Sequence, residues 1–405
     1  MKIVQLGGGV VPVPPGDEPD GIEDYIYQLS HHLGKIGCQV CVIDIKGGDY
    51  QHEKRGESLA SFYELWHLPL PHRYTFSLLQ RFINYLLLLS HQLLFALLSS
   101  LTLIKMFSKE KILVIHSHIS LSAIAAVVVG KLRKNTTVVV YSTHTPILMR
   151  NLTWRRRLID FSEFIALRWA DHIVADTPAV KRRLVSNLNL DPARITPIYV
   201  GAALDEVKQF LTGKKTACHQ SKIVLCVSKV LPTKNQLSAV KAIPQVVAVC
   251  PEVKFVFAGP IYDVKYFNSI KRFIAESNLS QWVDFRGEVT KQELYNLYSE
   301  AIIFLFPTTS ESRGDVLSEA MAFGVPVIAT TIEPIADLVR QKEGSAILVD
   351  PYDVDGMAQA ILHLLQNSSL RQSMSHRGRE LVQSFSWEHI AAETLALYNE
   401  LVQNK

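Results

Sequence analysis

Residues 301 to 329 constrain the fold more than any other stretch of the chain. An apolar run from Ile302 to Phe306 enters a polar loop, a helical pattern opens near Gly314 and is closed by Gly324, and a second apolar run follows from Val325 to Ala329. Two buried strands joined through one helix predict neighbouring strands of a parallel sheet, covered on both faces. In such a unit the loop after the first strand and the first turn of the helix face the ligand crevice, where unpaired N–H groups attract an anion. Glu311 lies in that loop and Glu319 about one turn inside the helix. Carboxylates repel a phosphate but accept hydrogen bonds from hydroxyls, the groups that sugars carry. The same residues also fit ordinary helix chemistry: two acids near the positive helix end, then Ala-Met-Ala and Gly-Val-Pro packing and ending the helix.

The alternation continues along the chain. Apolar runs occur at 2 to 6, 39 to 45, 112 to 117, 137 to 143, 171 to 175 and 196 to 200. A second set lies at 222 to 228, 253 to 258, 282 to 285, 301 to 306, 325 to 329 and 345 to 349. Helical patterns separate most of them; after the first run, Ile22, Tyr25, Ile26, Leu29, Leu33 and Ile36 recur at helical spacing up to Gly37. This predicts an α/β protein of two doubly wound domains with parallel sheets, facing one crevice. Residues 213 to 220 show no apolar periodicity, which places a first domain at 1–205 and a second at 206–385. A final amphipathic stretch, Trp387 to Val402, occupies 386–405.

Length and charge agree with two soluble or peripherally bound domains. The chain has 405 residues, 48% apolar and 20% charged, with a formal net charge of +4. That charge is too small for nucleic-acid binding, and it is uneven: residues 1 to 203 carry 22 Lys and Arg against 16 Asp and Glu, leaving 20 against 22 for the rest. Five scattered cysteines predict a reducing compartment rather than a disulfide framework. Cys38 and Cys41, at the start of a strand, are expected on opposite faces. The opening run Met1 to Gly7 reads as a buried strand rather than a leader, so a cytoplasmic location is expected.

The segment from Glu311 to Ala329, with its two Glu, Gly314 and the run Glu319-Ala320-Met321-Ala322, closely resembles the paired-glutamate motif of the retaining, nucleotide-sugar-dependent glycosyltransferases of family four. That resemblance implies a GT-B fold of two Rossmann-like domains, with the last helix packing back on the N-terminal, acceptor-side domain. It also implies roles. Glu319 would hold the ribose and Glu311 the hydroxyls of the donor sugar. Gly314, Asp315 and Val316 would offer backbone N–H groups to the donor, and Gly287 to Val289 would touch the base. Ser228 to Asn235 is similar to the family's Gly-Arg-x-x-x-x-Lys-Gly, with Lys229 and Lys234 as the cations for the diphosphate and with Ser228, Lys229 and Asn235 as departures. Lysine keeps the charge of arginine and loses its fork. Gly21-Ile22-Glu23 resembles the Gly-Gly-x-Glu at a helix start, Asp20 replacing the first Gly. His144, at a strand end, corresponds to the family histidine near the donor sugar, and His118 is an acceptor-side candidate. The implied catalytic group is therefore Glu311, His144 and Lys234.

The expected substrates are a UDP- or GDP-linked sugar and a saccharide or lipid-linked acceptor, with no cofactor and no metal. Asp353-Val354-Asp355 precedes a helical pattern and is expected to cap it rather than bind a metal. Phe82 to Ile104 lacks Lys, Arg, Asp and Glu, which meets the length of a membrane span. Its polar interruptions, and the strand that follows, favour a core or interfacial helix. With Arg155, Arg156 and Arg157 it predicts contact with an anionic membrane on the inner face. Two alternatives remain open at this point: an epimerase or hydrolase acting on nucleotide sugars, for which only His118 and His144 offer an acid or base, and a silent sugar-nucleotide-binding scaffold.

Overall fold

The computed structural model describes residues 1–7, 21–46, 58–65, 78–108, 111–132, 136–144, 157–202, 204–212, 222–311 and 314–405, with backbone alone for residues 21, 78–89 and 157–160. Gly8, Gly9, Asp20, Arg155, Arg156 and the segment 213–220 lie outside the described residues. The chain divides into two compact units, Met1–Gly201 with Trp387–Lys405, and Ala202–Ser386.

The first unit is built on a parallel sheet ordered β3-β2-β1-β4-β5-β6-β7. Its strands are β1 (Lys2–Leu6), β2 (Gln39–Ile45), β3 (Ser61–Leu65), β4 (Val114–Ser117), β5 (Val138–Thr143), β6 (His172–Ala175) and β7 (Ile195–Pro197). β1, β4, β5 and β6 are buried along most of their length because helices cover both faces. β3 is the strand that apolar runs do not reveal. Ser61, Glu64 and their neighbours form an edge with little burial, so neither a continuous apolar run nor a clean alternation marks it. Cys38 and Cys41 fall in separate apolar clusters on the two sides of the sheet. That is the opposite-face arrangement expected of them.

One side of this sheet carries the helix Leu78–Phe107, which buries Phe95, Leu103 and Met106. By length and composition it is apolar enough to cross a membrane. Leu103 and Met106 nevertheless sit in the same core cluster as Val4, Ile115 and Tyr141, so it is a core helix with one open face. The other side is covered by the helices Gly21–Lys35 and Trp387–Gln403, which pack together through Ile26, Leu29, Leu33, Ile390 and Leu397. The end of the chain thus completes the core of the unit in which it began.

The second unit has a parallel sheet ordered β10-β9-β8-β11-β12-β13. The strands are β8 (Ile223–Val227), β9 (Lys254–Ala258), β10 (Val283–Gly287), β11 (Ala301–Phe306), β12 (Val327–Thr330) and β13 (Ala346–Val349). The helix Leu204–Thr212 belongs to this unit, Phe210 packing against Tyr295 and Phe323. In both sheets the strand order reverses at one place, between β1 and β4 and between β8 and β11. Loops leaving the carboxyl ends of such strand pairs diverge and open a binding crevice between them.

Gly201 offers a test of the closure made by the last helix. A Cβ there would overlap the indole of Trp387. Gly201→Ala is expected to destabilise the first unit by about 1–3 kcal/mol, as overpacking does. Adding Trp387→Leu should make the double loss smaller than the sum of the two single losses in denaturant melts. Additive losses would mean that the two residues do not press on each other.

Candidate active site

The switch point of the second sheet gathers most of the charged residues singled out in the sequence. β8 runs into Ser228, a 3-10 turn at Pro232–Lys234 and Asn235. β11 runs into Pro307 to Glu311. Backbone and hydroxyl bonds join the two loops: Thr233 O accepts from Thr309 N at 2.8 Å, Thr308 Oγ1 at 3.0 Å and Thr309 Oγ1 at 3.1 Å. The loops are pinned at the base. At their tips Lys234 Nζ donates to Glu311 Oε2 at 2.6 Å, a pair whose side chains are 20% and 16% exposed.

Asn235 explains one departure from the family signature. Its φ is 54°, in the left-handed region that glycine fills without strain and asparagine tolerates best among other residues. Its buried amide also donates to Pro307 O at 3.0 Å and Pro351 O at 2.6 Å, tying the loops after β8, β11 and β13 together. Ser228, the second departure, accepts from Gln236 Nε2 at 2.8 Å. Lys229, the third, is not brought to Glu311: its ammonium lies 4.7 Å over the ring of Tyr262.

Gly314, with φ of 83°, caps the helix Asp315–Phe323 without a side-chain hydrogen bond. The helix therefore starts from a backbone turn, Gly314 O accepting from Leu317 N at 2.9 Å, a few residues after Glu311. Gly324 ends the helix in the left-handed conformation, with Val325 N bonding back to Ala320 O at 2.9 Å. Gly287, with φ of 69°, ends β10 and accepts from Gly259 N at 2.7 Å. Asp353 caps its helix by accepting from Gly356 N at 2.8 Å, and Asp355 accepts from Gln245. Capping accounts for that Asp-x-Asp.

Glu319 has a partner that no spacing in the sequence announces. Tyr298, fully buried on the helix Lys291–Glu300, sets its hydroxyl 3.0 Å from Glu319 Oε2 and 3.2 Å from Val316 O. Burial, then the nearby Glu319 charge, pushes the phenol well above its ordinary range, so it remains a donor. The Glu319 carboxyl is pushed up to about 7, chiefly by burial and further by Asp315, against the lowering effect of the Tyr298 bond.

In the first unit, the ends of β1, β4, β5 and β6 hold a buried polar chain. His144 Nδ1 meets Asp176 Oδ1 at 3.0 Å, His144 Nε2 meets His118 Nδ1 at 3.3 Å, and His118 Nε2 meets Gln5 Oε1 at 2.6 Å. Gln5 reaches Tyr398 of the last helix, whose hydroxyl lies 2.5 Å from His116 Nδ1. Burial, with His116 and His144 adding repulsion, lowers His118 well below the ordinary histidine value, so it is neutral. With Nε2–H bonded to the Gln5 oxygen, His118 Nδ1 accepts. His144 has its Nε2 beside that acceptor and its Nδ1 beside Asp176 Oδ1, so both of its ring nitrogens are engaged. Tyr25 packs its ring 4.8 Å from that of His144. Asp176, Gln5 and Tyr398 were not singled out from sequence. Gly21 begins the helix Gly21–Lys35, and Glu23 in its first turn is buried.

Two doubly wound α/β units, with paired acid and lysine at the switch point of the second, define the GT-B class of sugar-transferring proteins. A family profile described as Glycosyltransferase Family 4 matches residues 19–206, and one described as Glycosyl transferases group 1 matches residues 207–381. The chain belongs to the family-four glycosyltransferases. It is similar to a D-inositol 3-phosphate glycosyltransferase of Nocardioides sp., 26% identical over 245 residues, covering 56% of this chain and 53% of that protein. It is also similar to a GDP-mannose-dependent monoacylated alpha-(1-6)-phosphatidylinositol monomannoside mannosyltransferase of Corynebacterium glutamicum, 31% identical over 207 residues, covering 49% and 51%. These matches span about half the length of either relative. Among solved structures, the sucrose-phosphate synthase of Thermosynechococcus elongatus superposes with a TM-score of 0.69 at 20% identity, over 100% of both chains. Anabaena Alr3699/HepE, solved in complex with UDP and glucose, gives 0.67 at 17% identity over 98% of this chain and 100% of that one. At these identities the likeness establishes the fold alone.

Two outcomes follow from the geometry. Asn235→Ala removes two donated bonds and places a Cβ-bearing residue without local hydrogen bonding at positive φ, for a loss of about 2–3 kcal/mol; Asn235→Gly relieves the backbone only and should fall between wild type and Ala in urea melts. For Glu319, a folded-state carboxyl at about 7 against 4.5 unfolded means that the native state binds more protons between those values. Stability of the ligand-free protein should then fall as pH rises from 4.5 through 7, by at most about 3 kcal/mol. Glu319→Gln should flatten that dependence in melts at pH 5, 6, 7 and 8.

Proposed function

We propose that the protein is a retaining, metal-independent hexosyltransferase that moves a sugar from a UDP- or GDP-linked donor to an acceptor hydroxyl, in glycolipid or polysaccharide synthesis. The observation that carries this reading is the Lys234–Glu311 pair at the switch point of the second sheet, followed in the chain by the N-terminus of the helix Asp315–Phe323. A cation and the positive end of a helix suit the diphosphate, and two carboxylates at different depths suit hydroxyls. Relatives named for GDP-mannose and inositol-phosphate chemistry, and a structural neighbour solved with UDP, support the donor and acceptor classes.

In the reaction the bond between the anomeric carbon and the diphosphate oxygen breaks, and a bond from that carbon to the acceptor oxygen forms on the same face. The acceptor proton passes to the leaving phosphate oxygen, so the enzyme needs no separate base. This accords with His144, whose ring nitrogens are both engaged. Lys234 neutralises the charge that develops on the diphosphate, with Lys229 as the second cation. Glu319 accepts from the ribose, and Glu311, once Lys234 has turned to phosphate, accepts from the sugar.

Variants separate these roles. Glu319→Ala should weaken binding of free nucleoside diphosphate, whereas Glu311→Ala should abolish turnover and spare that binding, both read by calorimetry and product formation. Lys234→Ala should slow transfer about 100-fold, one lost contact to developing phosphate charge costing on the order of 3 kcal/mol, and more than Lys229→Ala does. Equal loss of nucleotide affinity in the two Glu variants would overturn the division of roles. A requirement for Mg²⁺ after EDTA treatment, or inversion at the anomeric carbon of the product, would overturn the mechanism.

A further inference from the structure

Nine of the eighteen large apolar side chains exposed among the described residues lie on three helices that pack side by side on one face of the first sheet. The helix Leu78–Phe107 presents Leu93, Leu97, Leu101 and Ile104, spaced four, four and three residues apart and therefore in one stripe. Phe95, Leu103 and Met106, on its opposite face, are buried in the core. The next helix, Ser120–Leu132, exposes Val128 and Leu132, one turn apart. The third, Arg157–Trp169, exposes Phe161, Phe164 and Trp169, the last with half its surface open. An apolar surface of this extent on a water-soluble fold marks a contact surface.

The charges around it choose the occupant. Lys105, Lys131 and Arg168 are exposed on the same three helices, and Lys131 Nζ lies 4.1 Å over the indole of Trp169, joining two of them. The first two helices contain no Asp or Glu, and of the two acids in the third, Glu163 is buried. Asp160 is the other, and its side chain lies outside the described residues. A second copy docked by two-fold symmetry would set these cations against their own equivalents. A bilayer with anionic headgroups instead receives apolar side chains below and cations at the headgroup level, with tryptophan at the boundary.

We propose that the three-helix layer Leu78–Phe107, Ser120–Leu132 and Arg157–Trp169 is a docking face for an anionic lipid bilayer, on which the enzyme lies without spanning it. This reading goes beyond the transfer reaction and stands whether or not the acceptor is a lipid. It also locates the basic contribution on Lys105, Lys131 and Arg168 rather than on the Arg155–Arg157 run.

The test is co-sedimentation of the full chain with vesicles of phosphatidylcholine alone or containing about one-third phosphatidylglycerol, at low and high salt. One variant carries Leu97→Ser, Leu101→Ser and Phe164→Ser, all at exposed positions; a second carries Lys105→Gln, Lys131→Gln and Arg168→Gln. Wild type should bind the anionic vesicles, and less at high salt. The apolar variant should lose at least tenfold in partition, and the charge variant should lose the preference for anionic lipid. Circular dichroism melts and the thermal shift given by UDP or GDP should match wild type in both variants, which separates docking from folding and from donor binding. No sedimentation of wild type, or equal sedimentation of the apolar variant, overturns the proposal. So does a wild-type dimer in analytical ultracentrifugation that the apolar variant converts to monomer, which would assign the face to a second copy.

Discussion

The arrangement of the second unit rests on the side-chain amide of Asn235. Parallel strands end in loops that have no reason of their own to converge, and here one buried amide donates to carbonyls of the loops after β11 and β13 from its place after β8. The bonds from Thr308 and Thr309 to Thr233 O close the same seam. Only with that seam closed does Lys234, one residue before Asn235, project its ammonium onto Glu311. Replacement of a signature glycine by asparagine thus keeps the left-handed backbone and adds two hydrogen bonds to it. A backbone constraint has become a clasp.

The first unit meets a different constraint, the burial of polar groups. Asp176 is almost wholly enclosed, and a polar side chain so placed is costly without a hydrogen-bond partner. The histidine chain supplies that partner: Asp176 meets His144, His144 meets His118, and Gln5 fixes the tautomer of His118. Tyr398 brings the last helix into the same network, 393 residues from Gln5 in sequence. Sheet, crevice edge and chain terminus are therefore coupled through hydrogen bonds as well as through packing.

Much of this was legible beforehand. The strands that are buried on both faces announce themselves as apolar runs, and Gly324 and Asp353 end and cap helices as their chemistry requires. Glu311 and Lys234 stand out as charged residues in the loops that leave buried strands, and Glu319 as an acid about one turn inside the helix that follows. β3 was not legible, since an exposed edge strand has no periodicity to read. Tyr298, Asp176 and Gln5 were missed for another reason: their partners lie 21 or more residues away, and only the folded sheet brings them into contact. The apolar docking face is of the same kind. Its leucines looked like one ambiguous segment, and the aromatic third of the surface comes from a helix more than fifty residues later.

The Lys234–Glu311 pair has a consequence for the order of events under the proposed reaction. Two mostly enclosed charges 2.6 Å apart compensate each other. A diphosphate competes for the lysine with greater charge than one carboxylate offers, and a Lys passed to it would withdraw its charge from Glu311. Sugar hydroxyls are the donors then at hand. Under the proposed reaction, diphosphate binding and sugar recognition are linked through one exchange of partners, the lysine passing to phosphate as Glu311 passes to sugar hydroxyls. Glu319 stands outside this exchange, bonded to Tyr298 whether or not Lys234 moves. Its deeper, less hydrated setting gives it a preference for proton or hydroxyl donors over bulk water. The two carboxylates of one motif thus stand in different surroundings, one paired with a lysine and the other held by a buried tyrosine.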